Sequence, residues 1–377
     1  MKYITEFRDA AIARELSKKI HHEVQPGRQY NFMEFCGSHT HAIFRHGIQD
    51  FLPDAIQLIH GPGCPVCVLP VNRLNMAIYL ARQPGMILCT YGDMIRVPGK
   101  DGISLEYMRA SGADIRMVYS IMDALDIARA EDRPIVFFAI GFETTAPPTA
   151  LGLKIAQKEK LKNFFVFCNH VLTPGAIAGI LDNPEIRSLG SIPIDGFIGP
   201  AHVSMVIGSQ PYEYFAEEYR KPVVIAGFEP LDILQAILML VAQINSGRAE
   251  VENEYSRVVK RRGNTKSKQL VAEIFELRRR FQWRGLGSVP YSGLKIKSEF
   301  SAWDAEVQFT IPEENIPDHK ACECAAVLRG VKKPPECKVF GLSCTPETPL
   351  GSCMVSAEGA CAAYYTYGRF RALGAES

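Results

Sequence analysis

At 377 residues the chain is longer than one ordinary hydrophobic core supports, so two or three domains are expected. Its 47% hydrophobic and 22% charged residues are those of an ordinary soluble protein. Forty-two basic against 41 acidic residues leave a formal charge of +1, which supplies no global field to draw nucleic acid or an anionic membrane.

The amino end, "MKYITEFRDAAIARELSKKIHHEV", is charged throughout and lacks the apolar core of a signal peptide. Ile4, Phe7 and Ala11 recur at helical spacing, which predicts an amphipathic helix within residues 1–30, docked on the carboxyl-terminal domain. The most apolar helical stretch, "LDILQAILMLVAQI", is broken by glutamines and too short to span a bilayer. The expected location is therefore the cytoplasm.

Between residues 31 and 246 a short apolar run, a turn and a helical segment keep returning. The runs are "YNFMEFC", "AIQLIHG", "GMILCTYG", "IRMVYS", "IVFFAIGF", "FFVFCNH", "DGFIGPAH" and "PVVIAGF". Runs apolar along their whole length suit strands covered on both faces of a parallel sheet, so the fold class is α/β. One closed barrel and two doubly wound domains both fit. The interruption "ARAEDRPIV" and the unequal helix lengths favour two domains. The expected division is 31–120, to which 221–250 returns, and 121–220, followed by a loop-rich domain over 251–377.

Cys36, Cys64, Asp93, Glu143, Asn169, His170, His202 and Glu229 all fall in the turn after a strand. That end of the strands is where α/β folds place their ligands, and several such turns facing each other make a cleft. Any one of these residues taken singly also reads as a helix cap or turn former. Beyond residue 250, "RVVKRRGNTKSKQLVAEIFELRRRFQWRGLG" is basic and helical in part; it reads as a solvated helix with a flexible turn rather than a nucleic-acid face.

Eleven cysteines in a cytoplasmic chain point to metal ligation or redox chemistry, because that compartment keeps thiols reduced. Six of them, Cys322, Cys324, Cys337, Cys344, Cys353 and Cys361, lie in a segment dense in Pro and Gly, which needs a metal centre as a staple. Zinc sites usually draw on close C-x-x-C pairs, and this segment has none. An iron–sulfur cluster tolerates irregular loops between four thiolates. Cys322, Cys337, Cys344 and Cys361 give C-x14-C-x6-C-x16-C, with Cys324 and Cys353 as bystanders, although spacing alone also allows Cys324 in place of Cys322.

In "EFCGSHTHAIFRHG", Cys36 follows a strand and precedes a helix whose dipole is expected to lower its pKa, with Ser38 or Thr40 available as a cap. His39 and His41 lie two apart and so face different sides, which leaves one of them to tune the thiolate. "GPGCPVC" begins like a dinucleotide-binding turn, yet Cys67 stands where the third glycine belongs, which argues against a nicotinamide or flavin site. No phosphate-binding G-x-x-x-x-G-K-[ST] loop is present. Cys64 and Cys67 on a loop before a helix have the arrangement of a redox dithiol. Cys89 and Cys168 sit inside apolar runs and read as core. In "AIGFETTAPPTA" the two prolines are expected to delay the next helix until Thr149, leaving Glu143 on a rigid polar loop.

Together "FCGSHTH", "GPGCPVC", "YGDMIRVPG", "GFETTAPPTA", "GFIGPAHVS" and "CKVFGLSCTPETPLGSCMVSAEGACAAYY" resemble the HypD family of hydrogenase maturation factors, over about residues 31 to 366. The resemblance implies a scaffold for assembling the Fe(CN)2(CO) group of nickel–iron hydrogenases. It implies a small HypC-type chaperone as partner and HypE, supplied by HypF, as the source of cyanide, with the chain a monomer in a heteromeric complex. Carried over, Cys36 is the iron ligand, Cys64 and Cys67 are the redox dithiol, and Cys322, Cys337, Cys344 and Cys361 hold a 4Fe-4S cluster in the last domain. His39 is expected to steady the Cys36 thiolate, and Glu143, Asp93 and His202 to line the cleft. An iron–sulfur-dependent thiol-disulfide oxidoreductase and a purely structural adaptor are the other classes the residues allow.

Overall fold

The computed structural model describes residues 5–182 and 193–368, so Ile4 of the expected amino-terminal helix lies outside the described residues. Every apolar run is a strand: β1 (Tyr30–Glu34), β2 (Ile56–His60), β3 (Ile87–Thr90), β4 (Asp114–Met117), β5 (Ile135–Gly141), β6 (Phe164–His170), β7 (Gly196–Pro200) and β8 (Val223–Ala226). A further strand, β9 (Val251–Asn253), carries no apolar run; it forms because β8 offers its open edge, with Val223 opposite Val251.

The strands make two parallel sheets, ordered β2-β1-β7-β8-β9 and β4-β3-β5-β6. The fold is thus α/β with doubly wound sheets, as the apolar runs require. The sheets share out the chain differently from 31–120 and 121–220. β3 and β4 join β5 and β6, whereas β7 pairs with β1, Phe32 opposite Gly196. β8 and the helix Pro230–Asn245 belong with β1 and β2. The reason is that two helices, Pro65–Val68 and Val71–Ala81, carry the chain from one sheet to the other between β2 and β3. An exchange of strands between sheets leaves no mark in composition.

Each sheet reverses its strand order once, between β1 and β7 in the first and between β3 and β5 in the second. The turns beyond the carboxyl ends at these reversals are where an open α/β sheet leaves a crevice.

Helix α1 (Ala10–Glu23) starts at Asp9, whose carboxylate accepts from the amides of Ala11 and Ile12 at 2.7 and 3.1 Å. Its buried face, Ala13, Leu16 and Ile20, packs on the helix Pro230–Asn245. This corrects the expected docking on the carboxyl-terminal domain: the long helix presents Leu234, Ile237 and Val241, an apolar surface that α1 covers. No described helix is long and apolar enough to cross a membrane.

The helix after β5 begins at Ala146, with Pro147 and Pro148 in its first turn. That corrects a start at Thr149, and the reason is simple: the first amides of a helix have no intrahelical acceptor, so a proline there forfeits nothing. Past residue 250 the basic segment holds one helix, Thr265–Ile274, capped by Asn264. Two short antiparallel ladders follow, pairing Phe275–Leu277 with Leu294–Ile296 and Arg280–Trp283 with Gly287–Pro290. The cysteine-dense remainder contains only short helical turns.

Candidate functional site

A cavity of about 350 Å³ opens where the two strand reversals meet. Cys36 reaches it from β1, His202 and Val203 from β7, Tyr91 and Asp93 from β3, and Thr144 and Thr145 from β5. Gly63, Pro65 and Val66 of the dithiol loop and Glu358 of the cysteine-dense segment complete the wall.

Cys36 is the amino-terminal cap of helix α2 (Gly37–His46), yet its side chain makes no capping bond, so the sulfur is left to the cleft. The amides of Ser38 and His39 do lower the thiol's pKa, as a helix amino end should. Burial outweighs them, and with Glu358 and Glu34 nearby the thiol is pushed up to about 12. This overturns the expectation of a ready thiolate. Ser38 and Thr40 do not cap either: Ser38 donates to Glu358 Oε1 at 2.9 Å and Thr40 donates to Glu34.

His39 gives Cys36 its amide, not its ring. The ring is fully buried and its Nε2 faces the carbonyls of Ala226 and Gly227 at 3.1 and 2.9 Å, beyond the end of β8. Its expected role beside the sulfur is corrected accordingly; the helix turns the side chain towards Phe228, 4.8 Å away between ring centres. His202 stacks on the same Phe228 at 4.1 Å, and burial lowers its pKa. Asp93 accepts from Ser356 Oγ at 3.0 Å.

Cys64 and Cys67 bracket a single helical turn and are joined as a disulfide. Both are buried, so the cleft meets this loop through the residues beside the sulfurs. Gly63 is pressed on the Cys36 backbone: a Cβ there would lie 2.6 Å from Cys36 Cα, and Gly63 O accepts from the Gly37 amide at 3.2 Å. The glycine of "GPG" is therefore required for this close approach rather than for a pyrophosphate.

The remaining candidates at strand ends serve other places. Glu143 turns from the cleft to accept from the Thr173 amide and hydroxyl at 2.8 and 3.0 Å. Burial pushes its carboxyl up to about 7. His170 stands behind the wall between Thr145 and Thr149, at 3.3 and 2.9 Å, and burial lowers it to about 4. Asn169 is bound by the buried Arg73, which also pairs with Glu306, a staple between the second sheet and the carboxyl-terminal region. Glu229 caps the helix Pro230–Asn245 and pairs with Arg8. Cys89 and Cys168 are fully buried, and burial pushes both thiols up to about 12.

The six carboxyl-terminal thiols converge. Cys322 and Cys324 have their sulfurs 3.1 Å apart, and Cys353 and Cys361 lie near enough to shift the Cys324 thiol. Cys344 accepts from the Leu350 amide at 3.4 Å and feels the charges of Cys322 and Cys337. Gly351 allows the close approach, since a Cβ there would sit 2.7 Å from Cys324 Sγ. The hydrogen bond between Cys322 and Cys324 draws the Cys322 thiol down to about 7. Among the described residues, no group of three His, Cys, Asp or Glu is arranged around a single ion. Cys324 and Cys353 stand inside the sulfur group, not beside it. This group reaches the dithiol directly: Ser352 Oγ donates to Cys67 O at 3.1 Å, and the buried Arg284 donates to Leu69 O at 3.1 Å while pairing with Asp318 at 2.9 Å.

Sequence reading missed Glu34, Glu358, Ser352, Tyr212 and Arg284. Only Glu34 leaves a signal, as a charge within the apolar run "YNFMEFC". Tyr212 is fully buried and feels both Glu143 and Cys36.

The family model described as "HypD: Hydrogenase formation hypA family" matches residues 11–368. The chain is 63% identical to "Hydrogenase maturation factor HypD2" of Bradyrhizobium diazoefficiens, 60% to "Hydrogenase maturation factor HypD" of Cupriavidus necator and 42% to that of Escherichia coli. These alignments cover 98%, 98% and 97% of the chain and 98% of each relative. With the matched region spanning the cleft, the dithiol loop and the sulfur group, the chain belongs to the HypD family of hydrogenase maturation factors.

Proposed function

We propose that the cleft is the assembly site of the Fe(CN)2(CO) group, with Cys36 as the protein's thiolate to the iron and a HypC-type chaperone supplying a second ligand. The observation that carries this reading is Cys36 itself: a helix cap whose sulfur makes no cap bond and faces a cavity shared by both sheet reversals. Ferrous iron bearing cyanide and carbon monoxide favours a soft sulfur donor. Burial keeps the thiol protonated until a cation arrives, and iron binding releases that proton. Asp93 and Glu358 on the same wall are the carboxylates available to take it.

Cyanide delivered from HypE as a thiocyanate is released by two electrons: R–S–C≡N, two electrons and one proton give R–S⁻ and HCN. The Cys64–Cys67 dithiol supplies two electrons and two protons on closing its disulfide, so the step balances with one proton over, which returns the carrier to its thiol. Contact between Gly63 and Cys36 puts this couple beside the iron ligand. Reopening the disulfide needs an electron source. The sulfur group answers to one, because its donors are all thiols of the kind that bind iron and sulfide. Cys322, Cys337, Cys344 and Cys361 would hold a 4Fe-4S cluster, which when bound stores and passes electrons. A general thiol-disulfide oxidoreductase fits less well, since Cys64 is 3% exposed and Cys67 0%. The test is anaerobic co-purification with the small chaperone: cyanide and carbonyl infrared bands on the bound iron support the reading, and a complex without those bands contradicts it.

A further inference from the structure

Glu34 ends β1 with its side chain wholly buried, in a strand whose neighbours Phe32, Met33 and Phe35 are core. Three donors converge on its carboxylate. The Cys36 amide lies 2.8 Å from Oε2, while the Thr40 hydroxyl and His60 Nδ1, the latter at 2.9 Å, meet Oε1. A carboxylate accepts from all three, with His60 in the tautomer that carries its proton on Nδ1. Burying such a group contributes little to stability compared with an apolar side chain of similar size. Its use must then lie in the geometry it imposes.

That geometry concerns Cys36. A cap residue is ordinarily held by its side chain, which accepts from the helix amides. Cys36 forgoes this bond, and its own amide is held from beneath by Glu34 instead. Thr40 ties the same carboxylate to α2, and His60 ties it to the end of β2, one residue before the loop that leads to Cys64. We propose that Glu34 is the positioning residue that aims the Cys36 sulfur into the cleft, anchored by Thr40 and His60. The proposal rests on the reading of Cys36 as the iron ligand.

Glutamine can keep the arrangement. Its oxygen accepts from the Cys36 amide, and its NH2 donates to His60 once the ring changes tautomer. Alanine removes all three bonds. The experiment compares wild type, Glu34→Ala, Glu34→Gln and Cys36→Ala, each purified anaerobically with the small chaperone. It reads the iron per chain in excess of the four of the cluster, the infrared bands, the circular dichroism, and the rate at which iodoacetamide labels Cys36 in metal-free protein. Glu34→Ala is expected to keep its dichroism, to change the labelling rate, and to lower iron occupancy about tenfold, the effect of one lost charge-assisted hydrogen bond. Glu34→Gln restores both readouts. Wild-type occupancy and labelling in folded Glu34→Ala would overturn the proposal. Equal iron in wild type and Cys36→Ala overturns the ligand reading beneath it instead. Where Glu34→Ala does not fold, His60→Ala removes one anchor only: lowered occupancy with unchanged dichroism supports the proposal, and wild-type occupancy overturns it.

Discussion

Gly63 and Cys36 touch through their backbones, so that a single Cβ on Gly63 would stand 2.6 Å from Cys36 Cα. The loop that carries Cys64 and Cys67 and the loop that carries Cys36, the proposed iron ligand, are thereby one packed unit, further tied by the Gly37 amide to Gly63 O at 3.2 Å. Neither can shift without the other.

The variant Gly63→Ala tests this contact. The clash is with backbone rather than the end of a flexible side chain, so overpacking is expected to cost about 1–3 kcal/mol. Urea unfolding measures it. The same variant should alter the labelling rate of Cys36; an unchanged rate with unchanged stability contradicts the packing described.

Replacing Cys64 or Cys67 by Ser removes the disulfide without removing Cys36, the proposed iron ligand. Counting thiols under denaturant before and after mild reduction should show a gain of two in the wild type, following the bonded pair, and none in either variant. Cyanide loading should fail in both variants while iron still binds. A purely structural loop predicts normal loading instead.

Glu143 and His170 oppose each other in their effect on stability with pH. Glu143 has a raised folded pKa of about 7, so the folded state holds a proton that the unfolded chain loses from about pH 4.5, and stability falls as pH rises through that window. His170 has a lowered folded pKa of about 4, so the unfolded chain holds the extra proton between about pH 4 and 6.5, and stability rises with pH there. Removing Glu143's term by Glu143→Gln should steepen the rise between pH 5 and 6 by about 1.4 kcal/mol per pH unit. Urea titrations at several pH values measure the slope, and parallel profiles for variant and wild type contradict the assignment.

Cys361→Ser should lose the visible absorption of an iron–sulfur centre, together with its iron and sulfide, in protein loaded anaerobically. Iron bound at Cys36 in the complex with the chaperone is a separate pool and should persist. Retention of the full iron–sulfur absorption contradicts Cys361 as a ligand.

The eight apolar runs made the strands legible because a parallel strand covered on both faces cannot hide its composition. The clustering of chemistry at strand ends was legible for the same reason, since the runs end where the turns begin. Which strands share a sheet was not: the exchange that sets β3 and β7 in opposite sheets depends on helices whose direction no local pattern records. The direction of a side chain was equally hidden. Glu143 stands in the expected turn and His39 in the first turn of α2, yet they face Thr173 and Gly227, because burial and available hydrogen-bond partners decide orientation. Glu358 and Ser352 reach the site from more than three hundred residues beyond Cys36, from a segment without periodicity.

The central claim is that iron carrying cyanide and carbon monoxide is held in this cleft by Cys36. Its most direct test is the infrared spectrum of the anaerobic complex with the small chaperone, prepared with ordinary and with ¹³C-labelled cyanide donor, for wild type and Cys36→Ala. Wild type should show carbon–nitrogen stretches that move to lower wavenumber with the label, beside a carbonyl band, and Cys36→Ala should show no such bands. The same labelled bands at wild-type intensity in Cys36→Ala would contradict it.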